Sequence, residues 1–191
     1  MKFSSLGLAP ELQRAIDECG YVDMTPVQEQ AIVEARRGRD ILASAQTGTG
    51  KTAAFALPLL QKMCDKPLEM NVGEVRALIL TPTRELAEQL GNTISRYAQF
   101  LPLQVNALYG GGRTSSQESK LKAGSDILIA TPGRLLEHVL QCNVNLSKVE
   151  FLVLDEADRM LDMGFIADVQ GLLQQAPEQR QTLLFSATVS G

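Results

Sequence analysis

Residues 44–52 read SAQTGTGKT, and this stretch decides the fold of the chain. The short apolar strand RDILAS precedes it, and a helical pattern over residues 51–62 follows it. Two glycines let backbone N–H groups turn around a phosphate, and the helix start adds further donors. Lys51 can reach the β- and γ-phosphates, and Thr52 offers a hydroxyl to Mg²⁺. The pattern predicts a Walker A loop, with Ala45 in place of its first glycine. Its residues are Ala45, Gln46, Thr47, Gly48, Thr49, Gly50, Lys51 and Thr52.

Apolar runs alternate with helical patterns along the rest of the chain. The runs are VRALILTP, QVNALYG, DILIATP, VEFLVLDEAD and QTLLFSAT. They lack strict alternation, which is typical of strands covered on both faces. Upstream, Thr25 and Pro26 predict the start of a helix that ends near Arg36. The sequence therefore predicts an α/β fold with a parallel sheet and helices on both faces.

Composition excludes several classes of protein. The 191 residues are 45% hydrophobic and 21% charged, which is typical of one globular domain. The formal net charge is −4, so a nucleic-acid contact would have to be local rather than a basic coat. Three isolated cysteines and one histidine predict reduced thiols and no metal cluster, and His138 is interpreted as a solvent-facing helix residue. No secretory leader or membrane span is found, which favours a cytoplasmic location.

Two adjacent acids follow the strand FLVL. Asp155 can hold Mg²⁺, partly through its water shell, and Glu156 can orient and deprotonate an attacking water. This pairing favours hydrolysis over transfer to a small substrate. A P-loop kinase or metabolic NTPase stays open as an alternative, and so does an ATP-dependent clamp without enzymatic activity.

The motif DEAD at 155–158, together with AQTGTGKT, resembles the DEAD-box ATP-dependent RNA helicases. Further motifs of that family follow in order: GYVDMTPVQ (20–28, the Q motif, with Phe3 upstream), PTRELA (82–87), GG (111–112), TPGR (131–134) and SAT (186–188). The surrounding residues, MLDMGF and RQTLLFSAT, are most similar to the bacterial RhlE-type branch. The Q motif departs from the family pattern at Met24.

The resemblance implies a role for each motif. Gln28 and Tyr21 would recognise adenine, and Lys51, Asp155 and Glu156 would act in catalysis with ATP and Mg²⁺. The implied contacts to single-stranded RNA, with little sequence preference, come from Pro82, Thr83, Arg84, Gly112, Arg113, Thr131, Pro132, Gly133 and Arg134. Arg84 could instead pair with an acid. Asp158, Ser186 and Thr188 would couple the nucleotide pocket to RNA separation.

The resemblance covers residues 1–191 as one N-terminal RecA-like domain, with the Q motif over about residues 1–36. It implies that the SAT strand lies between the Walker A strand and the DEAD strand. The family's second RecA-like domain, which carries arginine fingers, does not follow SAT in this sequence. We therefore expect a monomer, without membrane contact, that binds nucleotide and does not unwind duplexes alone.

Overall fold

The computed structural model describes residues 1–111 and 114–187, which build one parallel sheet between two helical layers. The sheet has six strands in the spatial order β1-β6-β5-β2-β4-β3. Every neighbouring pair of strands is parallel. The strands are β1 (Ile41–Ser44), β2 (Val75–Leu80), β3 (Val105–Leu108), β4 (Ser125–Ala130), β5 (Phe151–Leu154) and β6 (Gln181–Ser186).

Eight α-helices are present in the described residues, and a short 3-10 helix (Phe3–Leu6) precedes them. No described helix is long and apolar enough to cross a bilayer. The helices are α1 (Pro10–Glu18), α2 (Pro26–Arg36), α3 (Lys51–Asp65), α4 (Arg84–Tyr97), α5 (Thr114–Leu121), α6 (Pro132–Leu140), α7 (Ala157–Asp162) and α8 (Ile166–Gln175).

The direction of the chain across the sheet decides which face each helix covers. The connections β1 to β2 and β2 to β3 run toward one edge, and their helices α3 and α4 lie on one face. After β3 the chain runs back through β4, β5 and β6, and helices α5 to α8 cover the other face. Parallel crossovers keep one hand, so a reversal of direction must change the face. The fold prediction is confirmed, and β6, the SAT strand, lies between β1 and β5 as implied.

Each face of the sheet has its own apolar core. Ile79, Ile127 and Leu183 point into the first, with Phe55 of α3. Leu78 and Leu128 point into the second, among side chains of α6 and α8. Strands β2, β4 and β5 are buried along their whole length, which explains why their sequences are continuously apolar.

Local signals in the sequence place helix α2 correctly. Thr25 caps it by accepting from the Gln28 backbone, and the Gln28 side chain accepts from the Thr25 N–H, which completes a capping box. One interpretation was wrong. His138 is not solvent-facing: it is 1% exposed, because α6 turns this position inward toward the sheet. The sequence did not indicate that His138 faces inward, because one histidine on a short amphipathic helix can lie on either face.

Candidate nucleotide and RNA sites

The predicted Walker A loop connects β1 to α3 at the carboxyl edge of the sheet. Gly48 and Gly50 adopt φ angles of 86° and 77°, in the left-handed region that glycine tolerates best. A Cβ at Gly50 would also lie 2.3 Å from Nε2 of Gln28, so a side chain there would push the Gln28 amide out of its position. Gly50 is the N-cap of α3, so Lys51 and Thr52 open the helix with their backbone N–H groups free of helical partners. The loop has the geometry of an anion cradle.

The Q motif is tied directly to this loop. Gln28 is 5% exposed, and its Nε2 donates to the carbonyl of Gly50 at 3.0 Å. The Thr25 hydroxyl donates to the carbonyl of Thr49 at 2.9 Å. Both side chains therefore hold the loop's backbone, a relationship that the sequence did not reveal.

Lys51 and the two acids after β5 form a compact ion-pair cluster. Lys51 Nζ lies 3.0 Å from Oδ1 of Asp155 and 3.4 Å from Oε1 of Glu156. The side chains of Lys51 and Glu156 are 12% and 14% exposed, and that of Asp155 is 1% exposed. The structure thus brings together the three predicted catalytic residues, although Lys51 lies more than one hundred positions before the two acids along the chain.

Burial raises the pKa of Asp155 above its ordinary value, and the neighbouring Lys51 ammonium opposes that rise. A carboxylate in this setting needs a cation beside it to stay charged. The described residues contain no group of three His, Cys, Asp or Glu side chains that could hold a metal ion unaided. A lone buried carboxylate beside a phosphate loop still fits Mg²⁺, because that ion usually takes one or two carboxylates and completes its shell with water and phosphate.

Glu156 has an unusual backbone and a second cationic partner. Its φ and ψ are 55° and 50°, a left-handed conformation that is uncommon for a residue with a side chain. Arg159, one helical turn further, donates to its Oε2 at 3.3 Å. Sequence reasoning missed Arg159, although the spacing of three residues from Glu156 at the start of a helix was a usable signal.

Tyr21, the other predicted adenine contact, packs against aromatic neighbours. Its ring centroid lies 5.7 Å from that of Phe3 and 5.9 Å from that of Tyr97. Its hydroxyl and that of Tyr97 are 3.0 Å apart. Phe3 is fully within the core, which gives it a packing role. Stacking of Tyr21 on adenine stays a prediction.

The candidate RNA residues follow three adjacent strands at the carboxyl edge of the sheet, in the half that does not carry the Walker A loop. Thr83 follows β2, Gly111 follows β3 and Thr131 follows β4. In the sheet these strands are neighbours in the order β2-β4-β3, whereas β1, β6 and β5 carry the nucleotide motifs. Strand order therefore separates the six motifs that follow strands into two contiguous groups.

The arginines of these motifs are placed differently. Arg84 is exposed, its guanidinium lies 5.5 Å from the centre of the Tyr109 ring, and a Cβ at Gly111 would meet its Nη1 at 2.8 Å. Among the described residues Arg84 makes no ion pair with an acid, so the alternative pairing is not observed there. Arg134 pairs with Glu137 at 3.0 Å, and its side chain is 22% exposed. Pro82 is buried, and Pro132 and Gly133 open α6. Gly112 and Arg113 lie outside the described residues.

The candidate coupling residues Asp158 and Ser186 lie beside the nucleotide loop, after β5 and at the end of β6. The carbonyl of Ser186 accepts from the N–H of Ala45 at 2.9 Å, which joins the end of β6 to the start of the loop. Asp158 and Ser186 line one cavity of ≈490 Å³, and Asp158 also lines the cavity beside Lys51. Thr188 lies outside the described residues.

A glycine-rich loop after β1 of a parallel sheet, with a buried aspartate and a glutamate after β5, two strands away, defines the P-loop nucleotide-binding class. Within that class, residues 25–191 match the family model of the DEAD/DEAH box helicases. The chain belongs to this family. A P-loop kinase or unrelated metabolic NTPase is thereby excluded as its family.

Named relatives and a solved structure agree with the match. The chain is 43% identical to the DEAD-box ATP-dependent RNA helicase CshA of Streptococcus pneumoniae over 99% of its own length and 35% of that protein. It is 46% identical to DEAD-box ATP-dependent RNA helicase 28 of Oryza sativa over 98% of its length and 23% of that protein. A crystal structure of a DEAD box protein from Methanococcus jannaschii superposes with a TM-score of 0.89 and 38% identity, over 100% of this chain and 51% of that one. The chain spans about a third of the length of the first of these relatives.

Proposed function

We propose that this chain is the ATP- and RNA-binding N-terminal RecA-like domain of an ATP-dependent RNA helicase. The observation that carries the proposal is the cluster of Lys51, Asp155 and Glu156 beneath a loop to which Gln28 is bonded. Lys51 supplies a cation for the phosphates, and Asp155 supplies a carboxylate for Mg²⁺. Glu156 supplies a general base, and Gln28 supplies an amide that can pair with adenine. The complete protein would hydrolyse ATP to separate short RNA duplexes.

Each residue has a defined task in the proposed reaction. The loop N–H groups and Lys51 bind the β- and γ-phosphates, and the amide of Gln28 pairs with the adenine edge. Thr52 and Asp155 would hold Mg²⁺, Asp155 partly through water. The ion neutralises phosphate charge when it is bound. Glu156 orients the attacking water and accepts its proton, so its carboxylate must be released from Lys51 before reaction.

RNA binding rests on the second group of motifs. Backbone N–H groups and hydroxyls at the starts of α4 and α6, with Arg84 and Arg134, can contact successive phosphates of one strand. Gly112 and Arg113 would extend that path. Contacts to phosphate carry little sequence information, so we propose little sequence preference. A local groove of this kind is compatible with the net charge of −4.

Finer features of the proposal concern the protein around this domain. A second RecA-like domain would close over the nucleotide and supply arginine fingers. We also propose that this chain is monomeric, that the protein is cytoplasmic and that it belongs to the RhlE-type branch. The residues MLDMGF and RQTLLFSAT support the branch assignment.

Calorimetric titration of the 191-residue chain with MgADP, MgATP and MgGTP tests the nucleotide assignment directly. Binding of the two adenine nucleotides, with clearly weaker binding of MgGTP, is the expected result. Equal affinity for MgATP and MgGTP, or no binding of any of the three, would refute it.

A further inference from the structure

Arg159 lies at the nucleotide cavity, and no motif described above assigns it a role. It lines a cavity of ≈150 Å³ together with Thr47, Lys51 and Glu156. Lys51 and Glu156 form an ion pair at the wall of this cavity, so a phosphate that approaches Lys51 competes with that pair. The ion pairs across the cavity are therefore part of the binding equilibrium.

The carboxylate of Glu156 is shared between two cations. Lys51 holds Oε1 at 3.4 Å, and Arg159 holds Oε2 at 3.3 Å. Lys51 is also the residue that a phosphate must recruit. Any charge left on Glu156 holds Lys51 in place and repels the incoming phosphates, because Coulomb attraction and repulsion act over these distances in a partly buried site.

We propose that Arg159 is a positioning residue that tunes nucleotide affinity through Glu156. By binding Oε2, it draws part of the carboxylate's charge away from Lys51 and fixes the side chain on the α7 side of the cavity. Lys51 is then easier to release, and the phosphates meet less repulsion. The inference rests on the proposed nucleotide function and names a residue that influences the affinity for the nucleotide.

The backbone supports this role. Glu156 has a left-handed conformation as the N-cap of α7, which sets the direction of its Cα–Cβ bond relative to the helix that carries Arg159. The two residues are three positions apart, so their contact is local and survives the departure of Lys51. Arg159 is 53% exposed, which leaves it free to hold Glu156 while a nucleotide enters.

A double-mutant cycle on the 191-residue chain separates an effect through Glu156 from a direct one. MgADP affinity is measured by calorimetry for the unmodified chain, Arg159→Gln, Glu156→Gln and the double variant. We expect Arg159→Gln to weaken MgADP binding about twofold to fivefold, in line with the strength of partly exposed ion pairs. In the Glu156→Gln background the same change should have less than about a twofold effect.

Two further variants complete the design. Arg159→Lys should restore most of the affinity, because it keeps the charge at the same position. Arg14→Gln removes an exposed arginine from another intrahelical ion pair, with Glu18 in α1, and should leave MgADP binding unchanged. Thermal unfolding of each variant checks that the fold is retained.

The outcomes are distinct. An equal loss of affinity in both backgrounds would mean that Arg159 acts on the nucleotide itself, and no loss in either would mean that it does not act; both overturn the inference. Failure of the unmodified chain to bind MgADP would instead refute the proposed function.

Discussion

Nε2 of Gln28 donates to the carbonyl of Gly50 at 3.0 Å, so the residue assigned to adenine is bonded to the backbone of the phosphate loop. Its Oε1 accepts from the Thr25 N–H at 2.9 Å. Each half of the amide thus has one protein partner, and its second N–H and the second lone pair of its oxygen are left for the adenine edge. Nucleotide binding and loop conformation are coupled through one side chain.

We expect Gln28→Ala to lower adenine preference and to loosen the loop. Each of the two lost hydrogen bonds to the base would cost about 1 kcal/mol, so the ratio of MgADP to MgGDP affinity should fall by roughly thirtyfold. Calorimetry with both nucleotides measures the ratio. Gln30→Ala, at an exposed position of the same helix, is the matched control and should leave the ratio unchanged. An unaltered ratio in Gln28→Ala would remove adenine reading from this residue.

Lys51→Ala should abolish detectable MgADP binding, because the loop loses the only side-chain cation placed among its residues. Thermal unfolding must be measured alongside it, since Asp155 then stays buried without its partner. Lys148→Ala, an exposed lysine remote from the loop, controls for charge. Unchanged MgADP affinity in a folded Lys51→Ala chain would exclude this loop as the phosphate site.

His138 should make folding stability depend on pH. Burial, followed by the charge of Arg134, lowers the pKa of His138 from its ordinary 6.5, and Glu118 and Glu137 oppose the shift. The unfolded chain therefore binds the proton first. The stability contribution is fully present above pH 6.5 and is lost as the pH falls from there toward the folded pKa.

Urea unfolding at pH 7.5 and pH 5.5 measures this effect. The free energy of unfolding of the unmodified chain should fall more between the two conditions than that of His138→Gln, which cannot titrate there. Parallel curves for the two chains would show that His138 does not carry the dependence.

The fold was largely predictable because its signals are local or repetitive. Apolar runs identified all six strands, and Thr25 and Pro26 identified the start of α2. Only the place of β6 between β1 and β5 came from the family resemblance, and the order of the other strands was not predicted, since crossover rules alone leave several orders open. The burial of His138 and the bonds of Gln28 to the loop could not be predicted, because they depend on how distant elements pack. The contact of Arg159 with Glu156 could have been predicted, because the two residues are only three positions apart.

Arg134→Ala should weaken binding of single-stranded RNA and leave MgADP affinity intact. Arg134 lies at the start of α6, which follows β4, whereas the nucleotide cluster follows β1 and β5. Removing one arginine–phosphate contact should also reduce the salt dependence of binding, with a slope smaller by about 0.7. Fluorescence anisotropy with a labelled oligonucleotide across a salt series measures both quantities. Arg14→Ala, in the helix α1, is the control, and an equal loss of MgADP and RNA binding in Arg134→Ala would contradict two separate sites.

The last prediction concerns activity. Proposed hydrolysis requires ATP and RNA to be held between two RecA-like domains, and an arginine finger from the second can contribute about 10³–10⁵ in rate. The 191-residue chain supplies Lys51, Asp155 and Glu156 from one RecA-like domain. We expect it to bind nucleotide, to show little RNA-stimulated ATPase activity and to separate no duplex in a strand-displacement assay.

Joining a second RecA-like domain should restore both activities. Glu156→Gln in that longer protein should then stop hydrolysis while MgATP still binds, because the change removes the general base and keeps the loop and Lys51. The longer protein without the substitution is the positive control. Robust ATP-driven unwinding by the 191-residue chain alone would refute the proposed mechanism, because no residue in it has been assigned the charge stabilisation that the second domain would provide.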